Sequence, residues 1–385
     1  MKHDTLSKVG RSKPRLLVCA SDPGAAAHLR EFLHHTAFSG NVETIVLAEE
    51  PALAIFQRAG IHAHPVAVGR ASESDTAAKA AILTSAAKLI SNFGPDAIVV
   101  GLSGPGIGID EALVAQAGTV PTFAVQDFWG DVNQGFGRLP DTYFVRDRMA
   151  ADLTRVRAPG AIIIPVGSAR NAATARLDPD RLRTEFRTAV GANSTTEVVV
   201  FLGQPLWHLP GYRATLSKAA AALQRVRPEA LLLYRAHPKE TLAERQESRN
   251  CLAKSTLSVN EDRALEVESS LCGADLLLTC FSSCGQDLVA LSSISTKPLS
   301  ALLCLLCETD IRDIYREMSA LNDMPLSVMG ATRTVWQDND LEESIDKALT
   351  HSERNRAWLI ARENTVDAVG TADRMLRAIV DKLVA

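Results

Sequence analysis

The sequence predicts an α/β protein of two doubly wound domains with parallel sheets, and two observations carry that reading. Short apolar runs of strand length alternate with helical segments along most of the chain, the pattern of βα units rather than of hairpins. The alternation also runs twice, from Arg15 to Gly167 and again from Glu197 onward. At 385 residues the chain exceeds what one ordinary core serves, so two domains are expected.

The polar N-terminal residues 1–14 are expected to be disordered. RLLVCA (15–20) is the first strand and leads through Ser21-Asp22-Pro23-Gly24 into a helix whose Leu29, Phe32 and Leu33 share one face. ETIVLA (43–48) is a second strand, PALAIFQRAG a short helix closed by Gly60, and HPVAV a third strand. An Ala-rich helix over 73–92, the strand AIVVG, the helix DEALVAQAG and the strand VPTFAVQ follow. Loop 101–108, GLSGPGIG, carries four glycines but neither the Gly-Lys-Ser/Thr of a P-loop nor a true G-x-G-x-x-G, which leaves a flexible loop leading into a helix. PDTYFVRD reads as strand and turn, MAADLTRV as helix, and AIIIPVG as the strand that closes a first domain over 15–168.

Residues 169–195, ending in GANSTT, are expected to be a linker. EVVVFLG (197–203) restarts the alternation in a second domain over 196–340. Its further elements are a Gly203-Gln204-Pro205 turn, a helix over 211–226, the strand ALLLYRA, a polar stretch to about 263, a helix over 264–273, the strand DLLLTC and a helix from Ser283. The tail 341–385 reads as two amphipathic helices packing across the domains, with Leu376, Ile379, Val380 and Leu383 as one stripe. The apolar LSALLCLLC (299–307) is a core strand or else a homodimer surface, with core preferred. Because the two halves share a layout, the expected architecture is two Rossmann-like domains facing each other across a cleft.

Composition narrows the function. Hydrophobic residues make up 46% and charged residues 22%, and the formal charge is −4, with no Lys/Arg stripe to suit nucleic acid. The apolar runs fall well short of the roughly 20 residues that span a bilayer, and no apolar signal core is visible near Met1, so a cytoplasmic protein is expected. The seven cysteines, mostly in apolar runs, read as buried hydrophobes in a reducing compartment. Cys304-x-x-Cys307 has no companion pair, and the triplets Asp178-Pro-Asp180 and Asp338-Asn-Asp340 adjoin helix starts where Asp is a common cap. No metal site is expected.

In open α/β sheets ligands bind outside the carboxyl ends of the strands, which singles out LLLYRAHPKE (231–240) and LLLTCFSSCGQ (276–286). The first offers Arg235, His237 and Lys239, with Pro238 fixing the turn. The second offers Ser282 and Ser283, then Gly285 and Gln286 at a helix start, and Gly203-Gln204 ends the domain's first strand. Cationic donors beside a helix N-terminus make an anion site, most simply for nucleotide phosphates, although either serine also serves as an ordinary N-cap. In the first domain, Asp127 is the candidate general base, with Asp22 and Asp131 competing. Ser21, Asp22, Gly24 and Gln126 line the same strand ends, and Trp129 with Phe128 either stacks on a sugar or plugs the surface.

This layout resembles the GT-B class of glycosyltransferases, and His237-Pro238 with Ser282-Ser283 looks like the HP and SS motifs of bacterial sialyltransferases, capsule transferases and CDP-glycerol polymerases. The resemblance implies that His237 meets the donor phosphate and that the serines hold the same group. It implies metal-independent transfer of a sugar or glycerophosphate-like group, in polysaccharide biosynthesis, from a CMP/CDP- or UDP-linked donor to a carbohydrate or other small acceptor, with no further cofactor. The chain is also similar to UDP-N-acetylglucosamine 2-epimerases: Ser283-Cys284-Gly285-Gln286-Asp287 is like their Ser-Gly-Gly-x-Gln-Glu loop with one residue missing and Asp for Glu. That likeness implies a UDP-sugar epimerase or hydrolase, although the acidic catalytic residues of that family have no clear counterpart. A non-catalytic nucleotide- or sugar-binding protein is the third reading.

Overall fold

The computed structural model describes residues 13–72, 74–102, 106–255, 257, 259–262, 266–319 and 321–384. Residues 1–12 of the segment expected to be disordered, and 103–105 of the glycine-rich loop, lie outside them. The chain divides into two compact units, one of residues 1–173 with 366–385 and one of residues 174–365.

Unit 1 contains β1 (Arg15–Ala20), α1 (Pro23–Ser39), β2 (Glu43–Ala48), α2 (Ala52–Arg58), β3 (His64–Pro65), α3 (Thr76–Phe93) and β4 (Ala97–Val100). It continues through α4 (Ile109–Gln116), β5 (Thr122–Val125), β6 (Thr142–Val145), α5 (Arg148–Arg157) and β7 (Ile162–Pro165). The sheet runs β3-β2-β1-β4-β5-β6-β7 with every pairing parallel. Its central strands are buried throughout, because helices cover both faces of a parallel sheet, and so they read as continuous apolar runs. Asp22 caps α1, accepting the Gly24 N–H at 2.8 Å, and Gly40 in the left-handed region ends it.

Unit 2 contains α6 (Pro179–Ala189), β8 (Val198–Leu202), α7 (Pro210–Val226), β9 (Leu231–Arg235), α8 (Leu242–Leu252), β10 (Val259–Glu261), α9 (Val267–Gly273) and β11 (Leu276–Thr279). Next come α10 (Cys284–Ile294), β12 (Ala301–Leu305), α11 (Thr309–Ser319), α12 (Pro325–Met329), β13 (Arg333–Val335), α13 (Leu341–Leu349) and α14 (His351–Asn364). Its parallel sheet has the order β10-β9-β8-β11-β12-β13. In both sheets the winding direction reverses beside the first strand, between β1 and β4 and between β8 and β11. Those two reversals are where a doubly wound sheet leaves a crevice at its carboxyl edge.

Several expectations need correction. Residues 169–195 are not a linker. They contain α6, whose Phe186 packs so tightly on Gly273 that a Cβ there would fall 2.1 Å from Phe186 Cδ1. Arg183 and Arg187 of α6 also bind Asp275, as does Arg354 of α14. The polar stretch after β9 holds α8, entered through a Thr241/Glu244 capping box, and the short strand β10. Of HPVAV only His64 and Pro65 pair as a strand. LSALLCLLC supplies β12, which is buried along its whole length and offers no dimer surface. The tail forms three helices: α13 and α14 belong to unit 2, and α15 (Thr371–Val384) adds Met375, Leu376 and Ile379 to the core of unit 1.

Candidate functional site

At the reversal point of unit 2, the ends of β8, β9 and β11 are tied together by side chains. Gln204 Oε1 accepts the Thr279 hydroxyl at 3.1 Å and the N–H groups of Cys280 at 3.0 Å and Phe281 at 2.9 Å. It therefore fixes the turn that presents Ser282, Ser283 and α10. Ser282 Oγ accepts the Cys284 N–H at 3.2 Å, whereas Ser283 is exposed and makes no capping hydrogen bond. Ser282 caps the helix and Ser283 faces solvent at its N-terminus.

The turn after β9 closes around Glu240. Its carboxylate accepts the His237 N–H at 3.0 Å and the Tyr234 hydroxyl at 2.8 and 2.7 Å. Burial raises the Glu240 pKa, and the His237 N–H, the Tyr234 hydroxyl and the charge of Arg245 oppose the rise. His237 Nδ1 accepts the Lys239 N–H at 3.1 Å, so the proton of the neutral ring sits on Nε2 as a donor. Burial, then the charge of Lys239, lowers the His237 pKa. Its contribution near neutral pH is that of an N–H donor rather than of an imidazolium. Pro238 and Lys239 are exposed beside it.

Three residues expected to touch phosphate also have structural work. Arg235 Nη1 lies 3.1 Å from Ser270 Oγ and 3.4 Å from the buried Asp262 carboxylate, so its guanidinium neutralises an interior charge. Gly203 is glycine because a Cβ would fall 2.4 Å from the Tyr234 hydroxyl and 2.5 Å from Glu240 Oε1. Gly285 is buried, with Leu326 Cδ1 at 3.2 Å from the position of a Cβ, which makes it a packing contact. Gln286 lies half-buried in the first turn of α10, its N–H on the Ser283 carbonyl at 2.9 Å.

Unit 1 gathers carboxylates at its own reversal point. Asp127, just beyond β5, accepts His28 Nε2–H of α1 at 3.1 Å through Oδ1. The tautomer follows from the other ring nitrogen, because His28 Nδ1 faces the Arg170 N–H at 3.4 Å. The second Asp127 oxygen stands over Gly24: a Cβ there would meet Oδ2 at 1.9 Å and Asp22 Oδ1 at 3.1 Å. Burial pushes Asp127 up, but the His28 hydrogen bond and the charges of Arg170 and Arg146 outweigh it, so its pKa is lowered. Burial raises Asp22 despite the Gly24 N–H, and the charge of Asp127 adds to the rise. Asp131 is likewise raised by burial, against the pull of Arg157.

The structure thus brings Asp22, Gly24 and Asp127 together, but it turns three other expected acceptor contacts inward. Trp129 is 3% exposed, donates Nε1–H to Asp147 at 2.9 Å and carries the Arg146 guanidinium 4.1 Å above its ring. It plugs the unit rather than stacking on a sugar. Gln126 is buried, with Nε2 on the Asp131 carbonyl and the Thr154 hydroxyl, both at 2.9 Å. Ser21 is fully buried. Two residues escaped sequence reasoning. His28 lies one helical turn beyond Gly24, a spacing that sets both on one face, and Glu240 directly follows the His-Pro turn.

No family model matches the chain, and no curated protein matches its sequence. Solved structures do match. A UDP-GlcNAc 2-epimerase from Neisseria meningitidis bound to UDP-GlcNAc is 11% identical, with a TM-score of 0.62 over 95% of this chain and 100% of that one. MurG from Acinetobacter baumannii is 10% identical, with a TM-score of 0.64 over 96% and 99%. A glycosyltransferase from Rickettsia africae is 11% identical, with a TM-score of 0.60 over 97% and 99%. The chain has the GT-B fold that these structures share, as its layout predicted. Among the described residues no helix is long and apolar enough to cross a membrane.

Proposed function

We propose that this GT-B protein is a metal-independent glycosyltransferase that moves a sugar, or a glycerophosphate-like group, from a UDP- or CMP/CDP-linked donor to an acceptor hydroxyl. The observation that carries the reading is the Asp127–His28 pair. A base for this reaction must be ionised before the acceptor arrives and must keep one oxygen aimed at it. Asp127 meets both needs, with Oδ1 held by His28 and a lowered pKa. In the step, Asp127 Oδ2 takes the acceptor proton and the acceptor oxygen forms the new bond, to the anomeric carbon of a transferred sugar or to the phosphorus of a glycerophosphate-like group. The carbon–oxygen bond to the donor phosphate breaks for a sugar, or the phosphorus–oxygen bond between the two phosphates for a glycerophosphate-like group, and in either case the electron pair stays on the departing nucleotide. On this reading His237 Nε2–H, the Ser283 hydroxyl and the N-terminus of α10 supply the donors for that charge within unit 2.

The test combines binding and turnover. Thermal shifts with CMP, CDP, UMP and UDP should raise the melting temperature of the wild type for one base family, and His237→Ala and Ser283→Ala should diminish the rise. Asp127→Asn should retain the shift and lose transfer from the matching nucleotide sugar. Full turnover by Asp127→Asn, or no shift with any nucleotide, would defeat the proposal.

Epimerisation or hydrolysis of a UDP-sugar is the second reading. It is supported by Asp22 and Asp127, which flank the same point above Gly24 with oppositely displaced pKa values, as an acid and a base working on one sugar would be. Product formed from UDP-GlcNAc with no acceptor added would select it.

A further inference from the structure

We infer that Glu240 is a positioning residue of the phosphate-binding end of unit 2, and that it holds the His237 turn, and through it the Ser282–Ser283 loop, in one geometry through a buried run of polar contacts. The inference rests on the donor-site reading above. The run crosses three strand ends. Glu240 accepts the His237 N–H at 3.0 Å and the Tyr234 hydroxyl at 2.7 Å. The Tyr212 hydroxyl interacts with that of Tyr234, and its oxygen accepts the Gln204 N–H at 2.9 Å. Gln204 Oε1 then holds the N–H groups of Cys280 and Phe281. Tyr212, Tyr234, Gln204 and Glu240 are all buried.

Two features separate this run from ordinary core packing. Its ends are backbone groups at or beside the two candidate anion contacts: the N–H of His237 itself, and that of Phe281, next to Ser282. A shift at either end moves a donor relative to the phosphate, and oxyanion donors act only within a few tenths of an ångström of 2.7–3.1 Å. The His237 N–H and the Tyr234 O–H also converge on the one buried Glu240 carboxylate, which polarises both. Gly203 leaves the room this needs, since any side chain there would strike both Tyr234 and Glu240.

The experiment measures the Kd of UDP and CDP by calorimetry for wild type, Glu240→Ala, Glu240→Gln, Tyr234→Phe and His237→Ala. It includes the double variant Tyr234→Phe/His237→Ala, with circular dichroism confirming each fold. Glu240→Ala should weaken binding roughly tenfold, and Glu240→Gln, which keeps a carbonyl for the His237 N–H, should recover most of that loss. Tyr234→Phe changes no ring volume. Loss of the His237 imidazole should cost clearly less in its background than in wild type, because a misplaced donor has less to lose. Folded Glu240→Ala that binds as wild type does, or strictly additive effects of Tyr234→Phe and His237→Ala, would overturn the inference alone. A wild type that binds neither nucleotide would overturn the donor reading beneath it.

Discussion

Gly24 lies directly beneath Asp127: a Cβ on Gly24 would sit 1.9 Å from Asp127 Oδ2, closer than any two such atoms can approach. The backbone of Gly24 is ordinary first-turn helix, so nothing conformational demands glycine there. What demands it is the space kept for the carboxylate. Gly24→Ala should lower the melting temperature, since the displaced Asp127 gives up its His28 hydrogen bond, a loss that the better helix propensity of Ala, about 1 kcal/mol, offsets only in part. Turnover should fall at least tenfold as Asp127 is pushed off His28. Thermal melting beside an activity assay checks both halves, and a fully active Ala variant would remove Asp127 from the reaction.

His28 sets the acidity of Asp127. Its hydrogen bond favours the ionised carboxylate, so His28→Ala should raise the Asp127 pKa. The acid limb of the rate–pH profile should move to higher pH in the variant. A limb that stays in place would show that another group titrates.

Asp275 is the ionic anchor of unit 2. It binds Arg183 and Arg354 at 2.7 Å and Arg187 at 2.9 Å, and its Oδ2 accepts the Val198 N–H at 3.0 Å. Burial pushes its pKa up, but the Val198 N–H and the arginines more than reverse this, so the folded value is lowered. Its contribution is therefore complete above the unfolded carboxylate pKa of about 3.9 and is lost as pH falls through the lower folded value. Asp275→Asn strands three partly buried guanidinium groups. It should cost about 3–5 kcal/mol near neutral pH by urea unfolding, with the gap to wild type narrowing in acid.

Ser282 and Ser283 should separate stability from binding. Ser282 Oγ caps α10, so Ser282→Ala should lose about 1 kcal/mol of unfolding free energy. Ser283 makes no such bond, and Ser283→Ala should unfold as wild type does while binding nucleotide more weakly. Equal behaviour of the two variants in both assays would contradict this division.

Much of this was legible in the residues. VVVFL, LLLYR and LLLT could only be buried strands, because apolar runs of that length between turns have no other stable place in a chain this polar. His-Pro and Ser-Ser stood at their ends. Strand order was not legible, since it is set by pairings between distant segments. Nor was the fate of single polar groups. Arg235 reads equally as a phosphate ligand or as the partner of an acidic neighbour, and only the pairing of β10 with β9 brings Asp262 beside it. Helix α8 was overlooked because its Leu242-Ala-Glu-Arg-Gln-Glu-Ser run is polar on most faces, although Thr241 and Glu244 spell its cap. His28 hid among core residues of α1, and its partner lies 99 positions away.

Helix α15 has a temporal consequence. Its Met375, Leu376 and Ile379 complete the core of unit 1, yet they are translated only after every residue of unit 2. On the ribosome, residues 174–365 can acquire their full set of internal partners while the earlier-made unit still waits for its last helix. The first half synthesised is the second to finish, and during that interval the apolar surface that α15 covers on unit 1 stays open to chaperones.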